Sequence, residues 1–428
     1  MELLENESLK SDIKIVCDHF QKILIDESGP SKKNVSINNN LTLGDGLLGP
    51  IFFSNFMRRE EDSEKETWEK ITYSYVEQAV ELLKDSKNIY NSSLFSGLAG
   101  VCLAVLDSAN NEERYFSLLK KIEPFLIKKI YNSYVKPIES KIEAKEFIHP
   151  AYYETVSGLS GILGYLLLRV SDEKLKPVTS YLVELLVKML HRTIDLNGIE
   201  FFGWVIQPIA APIPNIHYSE EYYNLSLSHG IAGCLSALSL ALKSNIEVQG
   251  QKELISKISN WLIEKAIFED EVVYWPSVIL ANGSASDSHK RACWCYGNPG
   301  ISRALFLAGE ALLDEKLKDF ALSSIKSILK KKDAQRLISP SLCHGLSGLL
   351  MVVQRMFLDT KDTFFKEKAD EITNEILNYY NLENPCGFSK MHSENNMAYL
   401  EGGTGIVLSL LEVQFGRRSI WAVPLMIG

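Results

Sequence analysis

The sequence predicts an all-α protein with the α/α toroid fold, a double-layered barrel of seven inner and seven outer helices with insertions between the repeats. Three features predict it: a recurring Gly-x-x-Gly motif, a nearly continuous apolar run after the motif, and an amphipathic segment before it. A helix that is apolar all round is buried, whereas an amphipathic helix lies at the surface of a core. Alternation of the two kinds therefore indicates an inner layer enclosed by an outer one. The first glycines of the motifs are Gly46, Gly97, Gly158, Gly230, Gly297, Gly345 and Gly402.

The spacing of the motifs fits one helical hairpin per repeat. The intervals between successive first glycines run from 48 residues (Gly297 to Gly345) to 72 residues (Gly158 to Gly230). Each interval is long enough for two helices and variable loops, and stacked hairpins share one continuous core. We therefore predict a single toroid domain of seven helical-hairpin repeats over residues 1–428.

The two layers are predicted from different patterns. The inner helices follow from apolar runs such as residues 101–106, 162–168, 234–242 and 349–353. Glycine at the start of an inner helix has no Cβ, so neighbouring backbones can approach closely where the inner helices converge. The outer helices follow from charges interleaved with apolar residues at helical spacing. They are predicted over residues 13–25, 68–83, 115–130, 178–190, 254–267, 317–329 and 365–379.

Three segments between the repeats are predicted as insertions. Residues 196–224 contain three prolines and many aromatic residues, which do not suit a helix and predict a rim. Residues 110–150 are rich in Lys and Glu and are predicted to hold the third outer helix and a solvated excursion. Residues 281–290 are predicted to form a polar loop that leads into the fifth motif.

Composition and charge exclude several classes of protein. With 46% hydrophobic and 23% charged residues, the chain has the composition of a folded globular protein and not of a disordered or fibrous one. Its net charge of −9 argues against nucleic-acid binding through neutralised phosphates. The first residues lack a signal-peptide pattern and no long apolar run follows, so we expect a cytoplasmic protein. The odd count of seven cysteines favours reduced thiols over disulfides.

Thiol and imidazole side chains are concentrated just before the first glycines of three repeats. They are His229, the adjacent pair Cys343 and His344, and the pair Cys293 and Cys295. If the repeats superpose, all of them lie at one end of the toroid. Thiolates and imidazoles are preferred zinc ligands, so Cys343 and His344 predict a metal site with Cys295 as third ligand and Cys293 as a competitor. Three ligands leave the fourth position of a tetrahedral ion open, and a substrate thiol would suit that position.

The residues around this site form three motifs, Ser-Leu-Ser-His229-Gly230, Trp294-Cys295-Tyr296-Gly297-x-Pro299-Gly300 and Ser-Leu-Cys343-His344-Gly345. With these motifs the chain resembles the lanthionine synthetase C-like family of peptide cyclases, and the resemblance covers its whole length. Members of that family fold as α/α toroids, which agrees with the repeat pattern. The resemblance implies that Cys295, Cys343 and His344 bind one zinc ion per chain.

The resemblance also implies a reaction. The family adds Cys thiols of a dehydrated precursor peptide to dehydroalanine or dehydrobutyrine, which forms thioether (lanthionine) rings. This Michael-type addition builds an enolate that must be protonated, and His229 is a suitable residue type because imidazole titrates near neutral pH. By match to the family motif, Arg291 and Tyr296 line the active site, where they would stabilise the enolate. Glu154 stands where the family pattern has Asp, and we expect it to orient His229.

The resemblance is to stand-alone cyclases, so dehydration is expected from a separate enzyme. The implied partners are a dehydrated lantibiotic precursor peptide with its leader, a dehydratase, and an ABC exporter that brings the complex to the inner face of the membrane. No nucleic acid is expected. Three alternatives stay open: a related zinc protein that acts on glutathione, a non-catalytic scaffold stabilised by zinc, and a toroidal glycosidase. The last would need paired carboxylates, for which the repeat ends offer only Glu154 and Glu401.

Overall fold

A computed structural model describes residues 6–25, 37–60, 64–109, 113–196, 198–208, 220–285, 292–391 and 396–428. These residues form sixteen α-helices and six short β-strands. The helices are α1 (Glu7–Ile25), α2 (Leu48–Glu60), α3 (Lys65–Leu83), α4 (Leu98–Ala109), α5 (Glu113–Ile130), α6 (Lys136–Glu143), α7 (Leu159–Leu167), α8 (Leu175–His191), α9 (Ile231–Lys243), α10 (Gln251–Glu264), α11 (Asn298–Leu312), α12 (Glu315–Lys330), α13 (Lys332–Gln335), α14 (Leu346–Thr360), α15 (Thr363–Leu377) and α16 (Gly403–Phe415). The strands are β1 (Thr193–Leu196), β2 (Ile199–Phe202), β3 (Tyr222–Asn224), β4 (Ile267–Glu269), β5 (Val272–Tyr274) and β6 (Val278–Leu280).

The helices fall into two kinds, as the sequence predicts. The inner helices α2, α4, α7, α9, α11, α14 and α16 begin within two residues of the first glycine of a motif, and nearly all of their residues are buried. The outer helices α1, α3, α5, α8, α10, α12 and α15 are amphipathic. In α12, for example, Leu317, Ala321, Ile325 and Ile328 are buried at helical spacing. The predicted alternation of buried and amphipathic helices is confirmed. No helix within the described ranges is long and apolar enough to cross a membrane.

Contacts within the chain divide it into two compact units. Unit 1 comprises Met1–Tyr90, Phe95–Glu123 and Leu337–Ala422, and unit 2 comprises Asn91–Leu94, Pro124–Arg336 and Val423–Gly428. In unit 1 the inner helices α14, α16, α2 and α4 pack in that order, and α15, α1 and α3 pack against them. In unit 2 the inner helices α7, α9 and α11 pack in order, with α8, α10 and α12 against them. That residues 1–428 form one domain stays a prediction.

At Gly233 and Gly300, the second glycine of the motif stands where no side chain would fit. An added Cβ on Gly233 would overlap the carbonyl oxygen of Leu227, and one on Gly300 would overlap that of Trp294. The added Cβ on Gly300 would also lie 3.1 Å from the Leu227 Cβ of the preceding repeat. Glycine therefore permits the close approach between successive repeats that the sequence predicts.

The turns that precede successive inner helices are hydrogen-bonded to one another. The donor N–H stands two or three residues before the first glycine of one repeat. The acceptor carbonyl stands two residues before the first glycine of the next repeat, or of the first repeat where the donor is in the seventh. Residues one and two places before a first glycine therefore occupy equivalent positions from repeat to repeat. The donor and acceptor residues are Leu43 and Phe95 (2.7 Å), Thr155 and Ser228 (3.1 Å), Leu227 and Cys295 (3.0 Å), Leu342 and Leu400 (3.1 Å), and Leu400 and Gly44 (3.2 Å).

The described residues between the helices form three short antiparallel strand pairs, β1 with β2, β3 with β6 and β4 with β5. The rim predicted over 196–224 contains β2 and β3, while its residues 209–219 lie outside the described ranges. In the segment predicted over 110–150, α5 continues through the π-helical turn Tyr131–Val135 into α6. The predicted polar loop is described only to residue 285, where it forms a turn.

One predicted outer helix extends wrongly into a residue that belongs to a strand. The outer helix expected over 254–267 ends at Glu264, and Ile267 begins β4 instead. The reason is a tight two-residue hairpin turn between β4 and β5. Its residues Asp270 and Glu271 have φ angles of 50° and 64°, which suit such a turn.

Candidate functional site

Three predicted metal ligands come together. Among the residues described, one ligand atom of each of Cys295, Cys343 and His344 lies within 4.8 Å of the other two. Cys295 is buried, Cys343 is half-buried, and the His344 side chain is 48% exposed. Two thiols and one imidazole are a donor set that zinc prefers, and three protein ligands leave a tetrahedral ion one further position. The residues therefore fit a zinc ion.

The turn before α11 supplies Cys295. The carbonyl of this residue accepts backbone N–H groups from Leu227 at 3.0 Å and Ser228 at 3.3 Å. Cys293, the competing ligand in the sequence, places its Sγ 3.7 Å from the Cys295 Sγ and contacts the Tyr296 carbonyl oxygen at 3.0 Å. The group of three donors contains Cys295 and not Cys293.

The turn before α14 supplies the other two donors. The Leu400 carbonyl accepts N–H groups from Leu342 at 3.1 Å and Cys343 at 3.0 Å. The residue after Leu400, Glu401, places Oε1 3.1 Å from His344 Nε2. A carboxylate on one ring nitrogen orients an imidazole and makes its other nitrogen a better metal ligand.

The sequence indicates Glu401 only as a carboxylate that a glycosidase would need, and it does not pair Glu401 with His344. Its signal is positional, because it stands one residue before Gly402, just as His344 stands one residue before Gly345. Its partner comes from another repeat, so local sequence alone does not reveal the pairing.

His229 and Glu154 are paired. His229 Nδ1 lies 2.9 Å from Glu154 Oε2, the His229 side chain is 30% exposed, and that of Glu154 is 2% exposed. The Glu154 carboxylate also accepts N–H groups from Val156, at 2.9 Å, and Ser157. A carboxylate accepts hydrogen bonds, so the imidazole carries a proton on Nδ1. The pair therefore fixes the ring and turns Nε2 away from the carboxylate.

Tyr296 lies one residue before Gly297, at the position equivalent to that of His229. Its hydroxyl oxygen accepts a hydrogen bond from Asn224 Nδ2 at 3.3 Å. Burial raises the pKa of Tyr296 to about 12, so the group is a neutral phenol that can donate a proton in a hydrogen bond. Arg291, the other residue predicted to line the site, lies outside the described residues.

Comparison with known proteins identifies the relatives of this chain. The family model described as "Lanthionine synthetase C-like protein" matches residues 38–425. The curated "Nisin biosynthesis protein NisC" of Lactococcus lactis subsp. lactis is 27% identical over 388 residues, which cover 88% of this chain and 86% of that relative.

A solved structure extends the comparison to the fold. The structure named "Nisin cyclase" matches 99% of this chain and 98% of its own with a TM-score of 0.78 and 23% sequence identity. That likeness confirms the α/α toroid predicted from the repeats. Because the family model covers most of the sequence, the chain belongs to the lanthionine synthetase C-like family.

Proposed function

We propose that this chain is a zinc-dependent lantibiotic cyclase. It is a lanthionine synthetase, a peptide cyclase that forms thioethers. It adds Cys thiols of a precursor peptide to dehydroalanine or dehydrobutyrine in a Michael-type addition, which gives lanthionine or methyllanthionine rings. The observation that carries this proposal is the approach of Cys295, Cys343 and His344 to within 4.8 Å in a member of this family.

The ligand set suits a substrate thiol. Cys295, Cys343 and His344 would hold the zinc ion, which would supply a Lewis acid that lowers the pKa of a substrate thiol. The thiolates of Cys295 and Cys343 would balance the charge of a divalent ion, so a site that also held a substrate thiolate would have a net charge of only about −1. The turn that contains Cys295 is held by a backbone hydrogen bond from the Leu227 N–H. The turn that contains Cys343 is held by backbone hydrogen bonds to the Leu400 carbonyl, so both turns are ordered before a substrate binds.

His229 is the proposed proton donor. Attack of sulfur on the β carbon builds negative charge on the carbonyl oxygen, and the α carbon must then receive a proton. Glu154 holds the ring through Nδ1 at 2.9 Å, so Nε2 is the nitrogen that delivers the proton.

Tyr296 and Arg291 are proposed to stabilise the enolate. A neutral phenol donates a hydrogen bond to a developing oxyanion, and the raised pKa of Tyr296 keeps it in that form. A guanidinium at Arg291 would add a positive charge. The substrate is proposed to be a dehydrated precursor peptide with its leader, with a dehydratase and an ABC exporter as partners at the inner face of the membrane.

The test combines zinc content with ring formation. The purified protein is incubated with a dehydrated precursor peptide, and free thiols are counted by mass after alkylation, since cyclisation itself leaves the mass unchanged. We expect one zinc per chain and loss of free thiols. Cys295→Ala should lose both its zinc and its cyclisation activity, whereas the control Cys293→Ala should keep its zinc and its cyclisation activity.

The result also separates the alternatives. Bound zinc without consumption of either peptide thiols or glutathione would favour a zinc-stabilised scaffold. Consumption of glutathione but not of peptide thiols would favour the glutathione-directed relative. Metal-free Cys293→Ala protein would show that the wrong cysteine was assigned.

A further inference from the structure

The 423–428 segment of unit 2 has no part in the proposed reaction, yet it contacts the neighbour of a proposed metal ligand. Trp294, which directly precedes Cys295, is 1% exposed, and its Nε1–H donates to the Leu425 carbonyl at 2.7 Å. Residues 425–427 are themselves at most 1% exposed. Both partners of this hydrogen bond are therefore buried, and loss of the acceptor would leave the indole N–H without solvent to replace it.

The same segment is attached to two inner helices. Arg303 of α11 is 0% exposed, and its Nε–H donates to the Ile427 carbonyl at 2.6 Å. An added Cβ on Gly164 of α7 would lie 3.0 Å from Met426 Sδ, so the glycine leaves room for that side chain. The 423–428 segment is thus fixed in unit 2 by contacts that do not involve Trp294.

Cys295 is consequently held from two sides. On one side its carbonyl accepts N–H groups from Leu227 and Ser228. On the other, the preceding residue has its ring fixed by Leu425. Backbone that is fixed on both sides of a ligand restricts the directions that its Sγ can take, which reduces the ordering required when a metal binds.

We propose that the hydrogen bond from Trp294 to Leu425 presets the Cys295 thiol for metal binding. Trp294 would act as a positioning residue, since it is 1% exposed and would affect the metal through Cys295. The inference rests on the proposed function, because it requires Cys295 to be a zinc ligand.

Trp275 provides a matched control in the same unit. It is 1% exposed, and its Nε1–H donates to the Leu262 carbonyl at 2.7 Å. Phenylalanine at either position keeps an aromatic ring and removes one buried N–H donor. Trp275→Phe and Trp294→Phe should therefore lower the Tm to a similar extent, but only Trp294 adjoins a proposed ligand.

The experiment measures zinc affinity by competition with a chromophoric chelator, and the thiolate-to-metal absorption of the Co²⁺-substituted protein. We expect Trp294→Phe to bind zinc about 10-fold or more weakly than the unaltered protein and to alter the Co²⁺ spectrum. Trp275→Phe should have the same zinc affinity and the same Co²⁺ spectrum as the unaltered protein. Equal zinc affinity and equal spectra in the two variants would overturn the inference.

A second variant covers the case in which Trp294→Phe does not fold. Arg303→Met keeps Trp294 but removes the bond to Ile427, so it should also bind zinc more weakly than Trp275→Phe. Equal affinity of these two variants would again overturn the inference while leaving the proposed function intact. An unaltered protein that binds no zinc would overturn both.

Discussion

Two histidines stand one residue before a first glycine and meet a carboxylate, but the two pairs differ. His229 meets Glu154 through Nδ1, and Glu154 is 2% exposed. His344 meets Glu401 through Nε2, and Glu401 is 27% exposed. The ring nitrogen that faces away from the carboxylate is therefore Nε2 in His229 and Nδ1 in His344. Equivalent positions in a repeat can thus take different tasks, and we expect His229 to transfer a proton and His344 to bind the metal.

The largest effect is expected from removal of the histidine beside Cys343. His344→Ala deletes one of three protein donors, so zinc affinity should fall by more than the ~10- to 100-fold typical of losing an outer partner. Cyclisation should be lost with the metal. Zinc per chain after dialysis against a chelator, measured beside the cyclisation rate, checks this. A variant that keeps one zinc and full activity would remove His344 from the site.

Removal of the other histidine should separate activity from metal binding. His229→Ala should keep its zinc while cyclisation slows by roughly 10²- to 10⁴-fold, which is the usual contribution of a general acid. His191→Ala is the control, because His191 is exposed at the end of α8. Its rate should be unchanged. Loss of zinc from His229→Ala would mean that His229, like His344, is needed for metal binding.

Substitution of Glu154 tests whether the orientation of His229 affects the rate of cyclisation. Glu154→Gln keeps the volume but lacks the charge, so we expect cyclisation to slow by about 10- to 100-fold with zinc affinity unchanged. Glu154→Asp should recover part of the rate, because the family pattern has Asp at this position. A Glu154→Gln rate equal to that of the unaltered protein would contradict the assigned role.

The fold was predictable because its signals are local. Each inner helix has its glycines and its apolar run within one stretch of sequence, and burial of Val101 or Leu235 follows from that run alone. The end of α10 was not predictable in the same way. Asp270 and Glu271 adopt positive φ, yet neither is the glycine or asparagine that would have signalled a hairpin turn.

The candidate site was predictable only where a residue type carries its own chemistry. Cys343 and His344 stand out as ligands by type, and the repeat register added Cys295. The pairing of Glu401 with His344 was not found, because a single carboxylate before a glycine has many uses and its approach to His344 depends on how two turns pack. The contact of Trp294 with Leu425 was not found for the same reason, since it joins distant parts of the chain.

The smallest effect is expected at Glu401. Glu401→Gln should weaken zinc binding by about 10-fold, because the carboxylate orients His344 without being one of the three donors. Saturating zinc should then restore the cyclisation rate, whereas Glu154→Gln should stay slow at any zinc concentration. Measuring both variants across a zinc titration therefore isolates metal binding from proton transfer. If Glu401→Gln stays as slow as Glu154→Gln at saturating zinc, the two carboxylates have the same role. The assignment of metal binding to His344 and proton transfer to His229 would then be wrong.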